Sequence, residues 1–136
     1  MTSNPLFAAA TEIAAVAARA ALLNGGYLEI RSGPQPALGA SLTGTRLARL
    51  ALSATAFGTP AASGGIVTAH ANTITSSSAL ATGIAGYHAL LASDDATVVI
   101  TGTVGTSGAD LNLASLAITA GQPVGCSGYF IAQPQA

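Results

Sequence analysis

Charge is what this sequence has least of. Only 7% of its 136 residues are charged, against roughly 25% in an ordinary soluble domain. There are four arginines and no lysine, and the formal net charge is −1. A protein that binds nucleic acid needs clustered basic groups to neutralise phosphates, so we expect no nucleic-acid partner. The missing lysine also excludes a phosphate-binding loop of the Walker type.

Aromatic residues and cysteine are scarce as well. Tryptophan is absent and aromatic residues make up 4% of the chain, which leaves little material for a carbohydrate-binding site. Cys126 is the single cysteine, so the chain cannot form an internal disulfide. It shares the parity of Val124 and Phe130, and we therefore expect it to behave as a small buried hydrophobe.

A surface with so few charges has consequences for solubility. Hydrophobic residues make up 50% of the chain, whereas a soluble monomer usually carries a charged surface. Large uncharged surfaces usually mark interfaces. We therefore expect an assembly of identical subunits, with dimer and trimer both open.

The N-terminal region contains one long apolar run, Pro5 to Leu23. No basic residue precedes it, which is unlike a secretory signal. Glu12 and Arg19 interrupt it, and a membrane-spanning helix needs about 20 apolar residues without such charges. We expect neither a signal peptide nor a membrane partner.

The same run predicts an amphipathic helix, with one narrow apolar stripe and a weakly polar side that includes Glu12 and Arg19. Asn4 and Pro5 form a helix-start signature, alanine favours the helix, and Asn24–Gly25–Gly26 ends it. The helix could pack on its own sheet or act as an arm that reaches a neighbouring subunit. We define residues 1–26 as the arm and residues 27–136 as the β domain. The predicted interface residues on the helix are Leu6, Ile13, Val16, Ala20 and Leu23.

The rest of the chain alternates in the manner of β-strands. Residues 27–32 predict a strand with Leu28 and Ile30 inward and Glu29 outward. Residues 84–93 and 97–104 predict an antiparallel hairpin, and residues 45–57, which also suit a helix, are interpreted as a strand. About seven or eight short strands at regular spacing predict a mainly β fold, a jelly-roll-like antiparallel β-sandwich with one N-terminal helix.

Turn residues divide the last third of the chain. Turns are expected at Gly105–Asp110 and Ala120–Pro123. A bulge or break is expected near Ala114–Ser115, because the leucines on either side of it have opposite parity. One last strand from Val124 to Ile131 completes a predicted meander.

No pattern in the sequence indicates catalysis. There is no G-x-S-x-G motif, and neither His70 nor His88 has a carboxylate at local spacing. His88 is interpreted as a surface or satisfied core histidine rather than as a ligand. Arg46 and Arg49 have opposite parity on a strand, which argues against a paired anion clamp. We expect no enzyme and no cofactor.

No pattern indicates a metal site either, since the sequence has no H-x-x-x-H or C-x-x-C spacing. Asp94, Asp95 and Asp110 lie at predicted turns. They are interpreted as solvated turn residues, with a shared calcium ion as the alternative.

Four segments carry a resemblance to a known group of proteins. They are "LSATAFGTPA", "GIVTAHANTIT", "VGTSGADLNLASLAITAGQPV" and the terminal aromatic strand. Together they resemble small virion-associated proteins of tailed bacteriophages and prophages. The group's N-terminal helix corresponds to Asn4–Leu23, its first strand and loop to Gly25–Pro36, and its turn before the last strand to Ala120–Gln122.

The resemblance implies a capsid cement or decoration protein. Such a protein is made in the bacterial host cytoplasm and binds the major capsid protein on the capsid surface as a homo-oligomer. A tail or fibre-base component is an alternative, and a carbohydrate-binding module acting on the host surface is a further one. The resemblance supplies no catalytic residues.

Overall fold

A computed structural model describes residues 9–37, 39–126 and 129–134, and in this part the chain is mainly β with one helix. No helix in these residues combines the length and apolar character needed to cross a bilayer. The elements are α1 (Ala9–Ala21), β1 (Tyr27–Ser32), β2 (Arg46–Ala51), β3 (Ala61–Ser63), β4 (Ile66–His70), β5 (Ser77–Ser78), β6 (Gly83–Leu91), β7 (Val98–Gly105), β8 (Leu111–Asn112), β9 (Ala117–Ile118), β10 (Pro123–Val124) and β11 (Phe130–Pro134).

The largest sheet has six strands, in the order β2-β1-β6-β7-β8, with β9 paired to β6. Its central strands are antiparallel, and β6 and β7 form the hairpin that the sequence predicts. β8 runs parallel to β7, pairing Leu111 with Val104. The sheet therefore contains one parallel pair at its edge, and the prediction of a purely antiparallel arrangement is wrong there.

A three-stranded sheet in the order β11-β4-β3 and a two-stranded sheet of β10 and β5 complete the β structure. The six-stranded sheet contributes Leu28 and Leu90 to the hydrophobic core, and the three-stranded sheet contributes Val67. Alternation of buried and exposed residues along β4 shows one face turned to this core. Both sheets thus share one core.

Helix α1 packs against β3, β4 and β11 of its own chain. Val16 and Leu23 are fully buried in the shared core. Burying a leucine side chain completely contributes about 1.5–3 kcal/mol, so these contacts hold the helix on the sheet. Glu12, predicted on the polar side of the helix, is also buried, and that part of the prediction is wrong.

The end of the helix follows the prediction, and its start lies outside the described residues. Gly25 has φ +69°, a left-handed conformation that glycine adopts without a Cβ penalty. The Gly26 N–H donates to the Leu23 carbonyl over 2.8 Å. Asn4 and Pro5 are among the residues that the structure does not describe.

The C-terminal third does not form the predicted meander. β9 pairs with β6, β10 with β5 and β11 with β4. The single last strand is also wrong, because β10 and β11 belong to different sheets. The break near Ala114–Ser115 is confirmed, since β8 ends at Asn112 and β9 begins at Ala117. Alternation sets which face a residue occupies, but it does not specify the partner strand.

Candidate functional site

A bulge in β2 brings two arginines to one face of the six-stranded sheet. Ile30 pairs with Ala48, but Arg31 pairs with Arg46, so Leu47 is an extra residue on β2. A bulge of this kind changes the parity of every residue beyond it. Arg46 and Arg49 therefore share the face of Glu29, and the prediction that they face opposite sides is wrong.

Glu29 lies at the centre of that face and has no exposed surface. The sequence predicts it outward, towards solvent, and its burial is a correction. The Arg31 Nε donates to Glu29 Oε1. The Arg46 Nε lies 2.7 Å from Oε2, an ion pair without hydrogen-bond geometry. The two guanidinium groups cover the carboxylate that the sheet would otherwise expose.

Asp95 extends the same network from the turn between β6 and β7. Its Oδ2 lies 2.5 Å from Arg49 Nη1 and 3.6 Å from Arg46 Nη1. The Arg49 guanidinium stacks 4.3 Å above the centre of the Tyr27 ring, a favourable cation–π arrangement. We call Glu29, Arg31, Arg46, Arg49 and Asp95 the arginine cluster. It holds five of the chain's nine charged residues and a formal charge of +1.

A pocket of about 650 Å³ lies beside the arginine cluster. The β1–β2 loop forms one wall and is anchored by hydrogen bonds at both ends. The Tyr87 hydroxyl donates to the Thr43 carbonyl over 2.6 Å, and Gln35 Nε2 donates to Thr101 Oγ1 over 3.1 Å. The described lining residues outside the cluster are Ala37, Gly39, Ala40, Ser41, Leu42, Leu91, Ala96, Val98, Val99 and Thr101.

His88 belongs to a buried hydrogen-bonded pair with Tyr129. Its Nδ1 lies 3.1 Å from the Thr103 carbonyl, which can only accept, so we assign the proton to Nδ1. Nε2 then accepts from the Tyr129 hydroxyl over 2.8 Å. Burial lowers the pKa of His88, opposed by the Thr103 hydrogen bond and the Asp110 charge. Gly102, opposite His88, leaves room for the ring.

This pair is part of the core. The sequence interpretation allowed a surface or a satisfied core histidine, and the structure gives the second. Burial also raises the pKa of the Tyr129 hydroxyl, so both groups are neutral near pH 7.

The three turn aspartates do not come together. Asp94 accepts from the amides of Ala96 and Thr97, over 2.9 and 2.8 Å, and from the Thr97 hydroxyl, over 2.6 Å. These hydrogen bonds hold the pKa of Asp94 below its ordinary value, and the bond from the Thr97 hydroxyl has the largest effect. Asp110 accepts from the Thr103 amide and hydroxyl. Within residues 9–37, 39–126 and 129–134, no three His, Cys, Asp or Glu side chains form a metal-binding group.

The outer side of the three-stranded sheet differs from the arginine cluster in having no charge. Ile66, Thr68 and His70 of β4 point away from the core, and Phe130 of β11 lies beside His70 with ring centres 5.7 Å apart. Ile66 is 44% and Phe130 56% exposed. We call these four residues the uncharged face. The sequence around β4 reinforces it, since no residue from Leu50 to Ser93 is charged.

The β11 strand leaves an open edge next to the uncharged face. In the described part of the chain β11 pairs with β4 alone. The Ala71 N–H bonds the Tyr129 carbonyl, and peptide groups alternate along an antiparallel strand. The backbone N–H and C=O groups of Phe130 and Ala132 therefore point away from β4. Pro134 has the same parity on the strand, but as a proline it has no N–H that could be left unpaired.

The predicted interface residues of the helix are mostly covered within the single chain. Val16 and Leu23 are fully buried, Ala20 nearly so, and Ile13 is partly buried. They would reach a partner only if the helix left its own sheet. Leu6 lies outside the described residues.

Of the other residues that the sequence singled out, Cys126 is half-buried against the core and His70 is exposed. Comparison with models of protein families, with curated proteins and with solved structures gave no match for this chain.

Proposed function

We propose that this chain is a structural protein of the bacteriophage virion, a capsid decoration protein that binds the major capsid protein lattice as a homo-oligomer. The observation that carries the proposal is the uncharged face with its open β11 edge. The sequence resemblance to small virion-associated proteins supports the same assignment. We further propose that the six-stranded and three-stranded sheets, which share one core, form a β-sandwich, antiparallel except at the β8 edge.

An uncharged face suits a permanent contact with another protein. Removing charged groups from water costs several kcal/mol per ion, and this face carries none. Ile66 and Phe130 supply apolar area, while the free peptide groups of β11 can pair with a strand of a neighbour. Large exposed apolar patches mark interaction sites.

Many copies of such a contact would stabilise a capsid by mass action. A protein that binds only the assembled lattice lowers the free energy of that lattice relative to its separated subunits. Decoration therefore requires shape and apolar area rather than a reaction.

The copy number of this chain in purified virions tests the proposal. Quantitative mass spectrometry against the major capsid protein should give hundreds of copies per particle, and a reconstruction should show density for the chain on the capsid surface. A handful of copies would instead indicate the tail or fibre base. Absence from purified particles would overturn the proposal altogether.

A further inference from the structure

We propose that the pocket beside the arginine cluster binds a small organic anion, a carboxylate or phosphate monoester with a short apolar body. The inference goes beyond capsid binding, because the pocket and the uncharged face belong to different sheets. It can be tested on the isolated protein.

A contribution to the stability of the fold does not explain why the chain has the arginine cluster. Ion pairs taken out of water often contribute no more than apolar residues of similar volume. The rest of this chain is almost free of charge, yet a fully buried glutamate and three arginines meet on one sheet face. A bulge at Leu47 is needed to bring the third arginine there. A pocket on which a few polar groups converge is a candidate binding site.

The cluster is built to receive negative charge. Arg31 and Arg46 pair across β1 and β2, and both line the pocket. The Nε of each arginine contacts Glu29, and among the described residues no hydrogen bond or ion pair involves the Nη2 of either one. Guanidinium groups match the oxygens of carboxylates and phosphates. With three arginines against two carboxylates, one positive charge is left for a monoanion.

A hydroxyl adds a donor at the same wall. Thr101 Oγ1 accepts the amide hydrogen of Gln35. Its own hydrogen has no acceptor among the described residues and can donate to an anionic oxygen. Leu91, Val98 and Val99 line the pocket as well and offer apolar contacts for a short hydrocarbon chain. The volume of about 650 Å³ lies within the range of small-molecule sites, about 300–1,000 Å³.

The test titrates the full chain at low salt with hexanoate, butyl phosphate and the neutral hexanamide, followed by NMR chemical shifts. We expect saturable shifts at Arg31, Arg46 and Thr101 with one of the anions, with a Kd of about 1 mM or tighter. Hexanamide should give none. Stronger binding of hexanoate identifies a carboxylate ligand, and stronger binding of butyl phosphate a phosphate ligand.

Three variants separate the pocket from general effects of charge. Arg46→Gln should weaken anion binding at least about tenfold, the loss of one charged hydrogen-bond pair. Arg19→Gln, which removes the one arginine outside the cluster, should leave binding unchanged. Ala96→Trp puts bulk on an exposed residue of the pocket wall that itself takes part in no ion pair, so it should abolish binding while the chain stays folded.

The proposal is overturned by any of three results. These are no saturable binding of either anion, equal binding of hexanamide, or binding that survives both Arg46→Gln and Ala96→Trp in folded protein. If Arg46→Gln does not fold, Ala96→Trp decides alone. None of these results depends on whether the chain is found in virions.

Discussion

The Arg46 guanidinium lies 2.7 Å from the carboxylate of Glu29, a residue with no surface exposed to solvent. Arg31 holds the other carboxylate oxygen. Both arginine side chains are partly exposed to water, which can solvate their charges. The Glu29 carboxylate has no contact with water, and the two arginines are the charged groups that neutralise it. The cost of breaking the network should therefore depend on which partner is removed.

Removing Arg31 and Arg46 should destabilise the protein more than removing both arginines together with Glu29. Arg31→Met with Arg46→Met leaves a buried, unpaired carboxylate, and we expect a loss of about 3–5 kcal/mol in the free energy of unfolding. Adding Glu29→Leu removes that carboxylate and should restore most of the loss. Urea unfolding of the double and triple variants measures the difference, and a triple variant no more stable than the double would contradict this account of the network.

The arginine cluster also shows where sequence reasoning ends. Period-two alternation was sufficient to predict β1 and the β6–β7 hairpin, because it follows from the pleat of a strand. It could not predict the extra residue at Leu47, since a bulge is set by the partner strand. In a regular strand Arg46 and Arg49 would have opposite parity, so alternation alone does not predict the arginine cluster.

The alternation of residues in β1 did not predict the burial of Glu29 either. Its neighbours alternate as expected, but Arg46 covers its carboxylate from the next strand of the sheet, in a register that depends on the bulge at Leu47. One signal was available: four of the nine charged residues fall within residues 29–49. Such a concentration in a nearly uncharged chain could have indicated a site, although not its geometry.

Two adjacent leucines at the end of α1 test how the helix is held. Leu23 is fully buried and Leu22 is 60% exposed. We expect Leu23→Ala to cost about 2–5 kcal/mol in unfolding free energy, as for other buried leucines, and Leu22→Ala to stay within about 0.5 kcal/mol. Thermal or urea unfolding at several protein concentrations gives both values.

The concentration series distinguishes the two packings of the helix. A cost that is independent of concentration agrees with packing on the chain's own sheet. A cost that grows on dilution would mean that Leu23 is buried against a neighbouring subunit, as the arm hypothesis requires.

Protonation of His88 should make the fold less stable in mild acid. Burial lowers the pKa of His88 in the folded state from its ordinary 6.5, so the unfolded chain takes up the proton first. The stabilising contribution of the neutral ring is complete above pH 6.5 and is lost as the pH falls towards the folded pKa. For one proton the slope is at most about 1.4 kcal/mol per pH unit.

Unfolding free energies measured between pH 7 and pH 5 should therefore fall for the parent chain. The fall should be smaller for His88→Gln, which has no ring to protonate. His70→Gln removes the exposed histidine, leaves the His88–Tyr129 pair intact and serves as the matched control. Asp94 does not interfere, since its lowered pKa puts its titration below this window. Equal slopes for the parent and His88→Gln would show that another group is responsible.

Charge placed on the uncharged face should prevent particle binding without unfolding the chain. Ile66→Asp with Phe130→Asp puts two carboxylates on exposed positions, where they remain hydrated in the free protein but must lose water in a contact. We expect cosedimentation with purified phage heads to fall at least about tenfold, equivalent to 1.4 kcal/mol. Because the parent face carries no charge, its binding should change little between about 0.1 and 1 M salt.

A matched pair elsewhere on the surface is the control. Leu80 and Ile84 are about as exposed as Ile66 and Phe130, so Leu80→Asp with Ile84→Asp adds the same charge at comparably exposed apolar positions. Binding should survive in this variant if the uncharged face is the contact. Loss of binding in the control pair alone would move the interface to the β5–β6 side, and loss in neither would remove the physical basis of the proposed function.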